Sequence, residues 1–305
     1  MTFARLAANP LDAAAWAVLS DELQSRGDAR GELIALATEG RPQKLKVKLQ
    51  KYLSRTLGDL ARGLLEHDIA TTFDHGLWAT MTVHQRRGEV DFIDGMREVL
   101  ECPLAVLLRE FNGQFSEARG PHCVVLSLER GAPALRRLVL ASRDPWSASG
   151  LFAGVPALEE ARLWNVEALE GHPTLRALNL VLAADSRVEV LQFPELRSLE
   201  LGWLGEGGLP ELRYELPSLR RLVVSATPEV IERVAHLPFA TQLERLTLRS
   251  LSSRLDAVIA PTILPRLAAF PALESFEWIG GPAHLVEQVN NSLAPTGGEG
   301  QGEGA

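Results

Sequence analysis

The chain of 305 residues holds 31 lysine and arginine residues against 39 aspartate and glutamate residues, a formal net charge of −8. This charge disfavours a general nucleic-acid binder, because a negative protein repels a polyanion. Hydrophobic residues make up 46% of the chain and aromatic residues only 6%, a composition that suits repetitive leucine packing better than an irregular enzyme core. The length allows two ordinary domains, or one extended repeat domain with an appendage.

The cysteine content and the hydropathy pattern favour a cytoplasmic protein. Cys102 and Cys123 are too few for a disulfide framework, and both lie beside apolar residues, so we predict buried thiols. No apolar run approaches the roughly 20 residues that a membrane helix needs. The chain reaches Asn9-Pro10 before any apolar stretch has the length of a secretory signal. We therefore expect a cytoplasmic chain without a transmembrane segment.

The sequence pattern predicts a helical region at residues 1 to about 70. Apolar residues recur there at spacings of three and four, and the turn pair Gly27-Asp28 and the breaker Gly40-Arg41-Pro42 separate three segments. The three predicted helices carry their apolar residues at Trp16, Leu19 and Leu23, then at Leu33, Ile34 and Leu36, and then at Leu45, Leu49, Leu53, Leu57 and Leu60.

The segment from Asp21 to Leu36 reads DELQSRGDARGELIAL and resembles the repeat-companion domain found at the N-termini of many myxobacterial and planctomycete proteins. In that family the phrase is approximately Ala-Asp-Trp-Leu-Glu-Glu-Arg-Gly-Asp-Pro-Arg-Gly-Glu-Phe-Ile-Arg-Leu. Ser20 and Glu22 replace its Ala and Trp here. The matching positions are Asp21, Leu23, Arg26, Gly27, Asp28, Arg30, Gly31, Glu32, Ile34 and Leu36.

The resemblance covers residues 1–90, since Asn9-Pro10-Leu11-Asp12 and Gly76, which precedes an apolar strand at 77–83, also fit it. Members of this family commonly carry leucine-rich-like repeats downstream, and no catalytic activity is assigned to them. The resemblance therefore implies a helical domain beside a repeat domain, and it brings no active site.

The phrase Pro-x-Leu-x-x-Leu-x-Leu recurs through the C-terminal two-thirds of the chain. A repeat every 17 to 30 residues is typical of a solenoid. The Leu-x-Leu pair places two side chains on one face of a short strand. Each buried leucine contributes about 1.5–3 kcal/mol once a neighbouring repeat covers it. Clear or looser copies begin at Pro133, Pro156, Pro173, Pro194, Pro217, Thr241 and Pro271.

The predicted fold is therefore α/β: a leucine-rich-repeat-like solenoid of short parallel strands with an irregular helical convex side, capped by an N-terminal helical domain. We expect the helical repeat-companion domain at 1–70, the solenoid at 71–293, and a disordered Gly/Glu-rich tail at 294–305. Single elements predicted outside the clear copies are strands at 77–83 and 104–111, a helix at 90–100 and a capping helix at 283–293.

Strand positions between the leucines are predicted to face solvent on the concave side of the solenoid. Trp164 among arginines has the composition of a binding hot spot, unless its ring folds over the next repeat, and Trp203 and Trp146 are weaker candidates. We expect a non-catalytic surface that binds another protein. The sequence leaves open the identity of that protein and the oligomeric state of the chain. The candidate protein-binding residues are Arg137, Arg162, Trp164, Asn179, Glu200, Arg221, Arg245 and Arg249.

A second candidate surface is basic. No acidic residue interrupts residues 41–55, which hold every lysine of the chain. On a helix, part of these charges form a stripe opposite the leucine seam. Such a stripe is either a solvated face or a docking site for an acidic protein, an anionic membrane or nucleic acid, and the net charge makes nucleic acid the less favoured partner. The stripe consists of Lys44, Lys48, Lys51 and Arg55.

Signatures of catalysis are missing from the sequence. There is no P-loop, His-Glu-x-x-His, Cys-x-x-Cys or Gly-x-Ser-x-Gly motif. The glycine-rich segment 205–208 lies between two repeats and is read as a turn, and the seven histidines form no metal-ligand pair at helical spacing. We predict no enzyme activity, no cofactor and no metal.

Overall fold

The computed structural model describes residues 2–85, 91–129, 132–204, 211–249, 265–266, 269–281 and 283–293. Five helices open the chain. Two of them begin at an aspartate that accepts a hydrogen bond from the first turn: Asp12 from the Ala15 amide and Asp28 from the Arg30 amide, both at 2.9 Å. The five helices are α1 (Thr2–Ala8), α2 (Ala13–Ser25), α3 (Ala29–Thr38), α4 (Pro42–Thr56) and α5 (Asp59–His67).

The single long helix predicted from Leu45 to Leu60 is wrong, because the chain breaks between α4 and α5. Leu57 has an extended backbone and a buried side chain, and the N–H of Gly58 donates to the carboxylate of Glu98. The break lets α5 pack against the next helix, α6 (Phe92–Glu101). Burial of Leu57 thus prevails over continuation of the leucine spacing along one helix.

Within the described ranges, ten strands form one sheet in the order β1-β2-β3-β4-β5-β6-β8-β10-β11-β12. Neighbours are parallel except for β1 and β2, and β7 and β9 form a separate parallel pair. The fold is therefore α/β with a mostly parallel sheet, as predicted. The strands are β1 (Ile69–Asp74), β2 (Leu77–His84), β3 (Glu110–Phe115), β4 (Arg137–Ser147), β5 (Glu160–Ala168), β6 (Ala177–Leu182), β7 (Val190–Gln192), β8 (Ser198–Trp203), β9 (Arg213–Glu215), β10 (Arg221–Ser225), β11 (Arg245–Arg249) and β12 (Ser275–Ile279).

The segments that return from one strand to the next differ in structure. Some hold an α-helix, some a single 3-10 helix, and two hold the short strands β7 and β9. Further α-helices among the described residues are α7 (Arg119–Leu128), α8 (Pro228–Ala235) and α9 (Ala283–Leu293), and 3-10 helices lie at Pro103–Leu107, Leu151–Gly154 and Ala240–Gln242.

Two elements near the start of the sheet differ from the sequence-based expectation. The strand predicted at 104–111 begins as the 3-10 helix, where Pro103 fits the first turn because its ring fixes φ and it lacks an N–H. β1 was not predicted. It joins β2 through His75 and Gly76, whose φ angles of 49° and 78° suit a tight hairpin turn. The predicted domain boundary at residue 70 consequently falls inside β1.

The proline of the repeat phrase occupies the second position of a β-turn before the strand. In the copy at Pro133, the Leu135 N–H donates to the Ala132 carbonyl at 3.1 Å. The ring fixes φ at the value that this position requires. The same turn bond recurs in the copies at Pro156, Pro194, Pro217, Thr241 and Pro271.

After the turn, a second bond pattern fixes the register between repeats. The Arg109 carbonyl accepts the N–H groups of both Arg136 and Arg137, at 2.9 and 3.0 Å. This shared carbonyl recurs at each following repeat, up to the Glu244 carbonyl, which accepts from Glu274 and Ser275. Successive strands therefore start at the same point of the phrase, whatever the length of the segment between them.

The two edge strands of the sheet are β1 and β12. β1 pairs with β2 at one end, and at the other α9 follows β12 over the range predicted for a capping helix. The side chain of Asn290 accepts from the Phe276 N–H and donates to the Phe276 carbonyl, both at 2.9 Å. Asn290 thus occupies backbone groups that an edge strand otherwise exposes. None of the helices in the described ranges is long and apolar enough to cross a membrane.

Candidate functional site

Alternate side chains of the parallel strands divide the sheet into two faces. The leucines of the repeat phrase are buried on one face, and the residues between them lie on the other, which we call the open face. Strand register brings the open-face residues into three rows. The first is Arg137, Glu160, Ala177, Ser198, Arg221, Arg245 and Ser275; the second is Val139, Arg162, Asn179, Glu200, Val223, Thr247 and Glu277; the third is Ala141, Trp164, Val181, Gly202, Ser225, Arg249 and Ile279.

Several predicted binding residues form ion pairs on the open face. Glu160 lies between Arg137 and Arg162, with N–O distances of 2.9 and 3.1 Å. Arg249 pairs with Glu200 across two strands. These groups are partly exposed, so each pair contributes only about 0–1 kcal/mol to stability. Their main effect is to hold the side chains in fixed positions on the open face.

Arg221 and Arg245 behave differently from the other open-face arginines. They are register partners on β10 and β11, and both are exposed. Neither forms an ion pair with any residue in the described ranges. Two like charges therefore stand side by side on neighbouring strands.

The third row borders an apolar groove of about 490 Å³. Trp164 stands on its wall and is 50% exposed, so its ring does not fold over the next repeat into the core. Apolar grooves with a few polar groups at their margin are the usual form of a binding site. The groove is lined by, among others, Trp164, Val181, Trp203, Leu204, Val223 and Arg249.

Trp146 is fully buried, which rules it out as a binding candidate. Its indole nitrogen donates to the Trp164 carbonyl at 2.8 Å. The strand then bulges at Asn165, which has a left-handed φ of 64°, and Val166 returns to the core. The bulge explains how Trp164 stays on the open face while the next two side chains are buried.

The two asparagines of this region have different surroundings. Asn165 is buried, and its Nδ2 donates to the Arg143 carbonyl at 2.6 Å. Asn179 is half-buried on the open face, between Arg162 and Glu200 in the second row. Only Asn179 is placed to meet a ligand.

The predicted basic stripe lies on α4, apart from the sheet, and α4 buries none of its residues. Lys48 pairs with Glu32 at 2.8 Å, so part of the charge is neutralised. Lys44, Lys51 and Arg55 are exposed and form no ion pair with the residues that the structure describes. The stripe is thus accessible, with three free charges.

The described ranges contain no group of three or more His, Cys, Asp or Glu side chains that could hold a metal ion. Cys102 and Cys123 are buried as predicted, and burial raises the pKa of both thiols. The glycine-rich segment 205–208 and the tail 294–305 lie outside the described residues.

Sequence reasoning missed the polar end of the open face. A second groove of about 440 Å³ lies beside Trp164, where β2 and β3 end next to the middle of β4. β2 and β3 do not carry the proline phrase, so their residues could not be aligned with the repeats. The polar groups around this groove include His84, Gln85, Gln114, Ser116 and Arg143.

No protein-family model and no curated protein matches the sequence. Among solved structures, a crystal structure of a protein from Bacteroides fragilis is similar, with a TM-score of 0.42 and 13% sequence identity. The match covers 70% of this chain and 63% of that protein. A similarity of this size transfers no function.

Proposed function

We propose that the chain is a non-catalytic interaction module that binds a protein partner on the open face. The observation that carries the proposal is Trp164, a half-exposed aromatic side chain at an apolar groove, framed by arginines in ion pairs. Tryptophan and arginine are the residues that most often dominate binding energy at protein interfaces. The ion pairs lower the entropy lost on binding, since the arginines are already ordered.

The architecture proposed for this module is a leucine-rich-repeat-like solenoid with the open face as its concave side. In-register strands, a recurring proline turn and return segments of variable structure support this. The resemblance of residues 1–90 to the repeat-companion domain makes the N-terminal helices the proposed cap. A cytoplasmic location completes this proposal.

The test is a pull-down from host lysate, quantified by mass spectrometry, with wild type, Trp164→Ala and Leu126→Ala. Leu126 is 63% exposed on α7, so its variant controls for loss of a surface apolar group elsewhere. We expect a protein retained by wild type and Leu126→Ala and lost with Trp164→Ala. Equal retention by all three chains would contradict binding at the open face.

A second candidate function is docking of nucleic acid or an anionic membrane to the basic stripe. The three free cations of the stripe favour it, because exposed unpaired charges can release counterions on binding. Lys44→Ala combined with Lys51→Ala should then abolish a binding that also weakens steeply between low and moderate salt. Salt-resistant binding that survives the double substitution would exclude this function.

A further inference from the structure

Four exposed arginines follow the N-terminal edge of four neighbouring strands. Arg176 and Arg197 lie in one row, immediately before β6 and β8, and Arg221 and Arg245 lie in the next row, at the start of β10 and β11. None of the four forms an ion pair with a residue in the described ranges. We call this set the arginine band.

The preceding strands have the opposite arrangement. At the equivalent positions of β4 and β5, Arg136 pairs with Glu159 and Arg137 pairs with Glu160. The repeat geometry thus allows neutralisation between adjacent strands, as it also does for Arg220 and Glu244 beside β10 and β11, whereas the four arginines of the band have no such partner among the described residues. Like charges directly opposite each other on neighbouring strands are destabilising. In a chain with a net charge of −8, such a local excess of positive charge indicates that a binding partner supplies the negative charge that neutralises these arginines.

The band has the size of a short peptide. Neighbouring strands lie about 4.8 Å apart, so the three steps from β6 to β11 span about 14 Å. An extended chain covers that distance with about four or five residues. Guanidinium groups bind carboxylates with two parallel hydrogen bonds, which suits aspartate and glutamate side chains.

The apolar groove at Trp164 lies at the other end of the same strands. β10 runs from Arg221 in the first row to Ser225 in the third, a distance of about 13 Å. A ligand that places carboxylates on the band can therefore put an apolar side chain into the groove. The open face therefore has an apolar subsite at Trp164 and a cationic subsite at Arg221 and Arg245, and Arg176 and Arg197 extend the cationic subsite along the strand starts.

We infer that the partner presents to the arginine band an extended acidic segment, flanked by an apolar side chain that enters the groove at Trp164. This inference rests on the proposed function, and it specifies the chemistry of the partner. A peptide fits better than nucleic acid, because Glu159 and Glu160 border the band at one end and Glu244 lies beside Arg245 at the other, which limits the length of polyanion that the band can hold.

The experiment is a selection of random 12-residue peptides on phage against the full chain, followed by fluorescence anisotropy of the recovered peptides. We expect aspartate and glutamate to be enriched over a window of about five residues, beside one apolar or aromatic residue. Arg221→Ala combined with Arg245→Ala should weaken binding by about tenfold or more.

The matched control is Arg187→Ala combined with Arg213→Ala. It removes the same charge from two exposed arginines that pair with Glu167 and Glu215, away from the open face. Its affinity for the peptides should equal that of wild type. Equal losses in the two double variants would mean that net charge alone determines binding, and would overturn the inference.

The remaining outcomes separate this inference from the proposed function. Peptides that lose binding with Trp164→Ala but carry no acidic enrichment would refute the acidic partner and leave the open face as the binding site. If no recovered peptide loses binding with Trp164→Ala, both the acidic-partner inference and the proposed binding at the open face fail. A labelled 12-nucleotide oligothymidylate that binds more tightly than the peptides, and loses binding with the Arg221/Arg245 double variant, would replace the peptide with nucleic acid.

Discussion

The buried indole of Trp146 donates its N–H to the backbone carbonyl of Trp164 at 2.8 Å, so a core residue positions the exposed one. Trp146→Phe keeps most of the buried ring but leaves that carbonyl without its donor. We expect the free energy of unfolding to fall by about 1–3 kcal/mol in urea denaturation. Trp203→Phe is the control, since the half-buried Trp203 indole makes no hydrogen bond to the described residues. If both variants lower the free energy of unfolding equally, the hydrogen bond from Trp146 to the Trp164 carbonyl does not have this role.

Asn165 combines a left-handed backbone with a buried hydrogen bond to the Arg143 carbonyl. Asn165→Ala should lose about 1–3 kcal/mol for the bond and a further 1–2 kcal/mol or so for the backbone conformation. Asn165→Gly loses the bond but tolerates the positive φ. Thermal unfolding should therefore rank the glycine variant above the alanine variant, and the reverse order would show that φ at this bulge is not strained.

His172 links pH to stability. Its Nε2 donates to the Val155 carbonyl at 3.1 Å and its Nδ1 accepts from the Thr174 N–H at 3.3 Å, so the buried ring is neutral. Burial lowers its pKa below the usual value of 6.5, opposed in part by the Val155 bond. The unfolded chain therefore takes up a proton first as pH falls, and the free energy of unfolding should be full above about pH 6.5 and drop below it.

The measurement for His172 is the urea midpoint between pH 7.5 and 5. His172→Gln should weaken that pH dependence, although it also costs stability at every pH. His236→Gln, at an exposed histidine, should retain it. A wild-type midpoint that does not change over this range would show that the ring is not buried in the folded protein.

Tyr214 has a buried hydroxyl with no hydrogen-bond partner among the described residues, and its ring packs edge to face against that of Phe239, with the ring centroids 5.7 Å apart. Burial raises its pKa to about 12. Since the unfolded tyrosine ionises near pH 10, stability should fall as pH rises above 10. Tyr214→Phe should leave stability unchanged or raise it at pH 7, and should reduce the loss of stability above pH 10. Thermal unfolding at pH 7 and above pH 10 measures these two effects. A clear destabilisation at pH 7 would reveal a partner for the hydroxyl.

Leu199 tests the stacking of repeats. It is fully buried between Leu178 and Leu222 on the neighbouring strands. Leu199→Ala should destabilise by about 2–5 kcal/mol, whereas Leu126→Ala, at an exposed leucine, should change stability by less than about 0.5 kcal/mol. Equal effects of the two substitutions in denaturant unfolding would contradict the buried packing of the repeat phrase.

The rows of the open face could be predicted because the phrase fixes which residues alternate. Arg137, Glu160 and Arg221 stand in one row because each follows its proline by four residues, and the structure places them in register. The break at Leu57 and the bulge at Asn165 could not be predicted. Both depend on tertiary burial that local spacing does not encode.

The arginine band was only half visible in the sequence. Arg221 and Arg245 lie inside the predicted strands. Arg176 and Arg197 each lie one residue before a predicted strand, so the alternation of side chains along the strand does not assign them to a face. Whether an arginine is neutralised depends on the residue opposite it on the neighbouring strand. That residue is known only once the register is known, as for Arg137 and Glu160.

The shared carbonyl at the start of each strand has an evolutionary consequence. Because every repeat begins from the same two N–H groups on one carbonyl, from Arg109 to Glu244, a segment cut between two such carbonyls carries a complete, self-consistent unit. Duplication or loss of one unit changes the number of strands without shifting the alignment of those that remain. A gene can therefore widen or narrow the recognition surface in whole steps, and relatives should differ in length by single repeats.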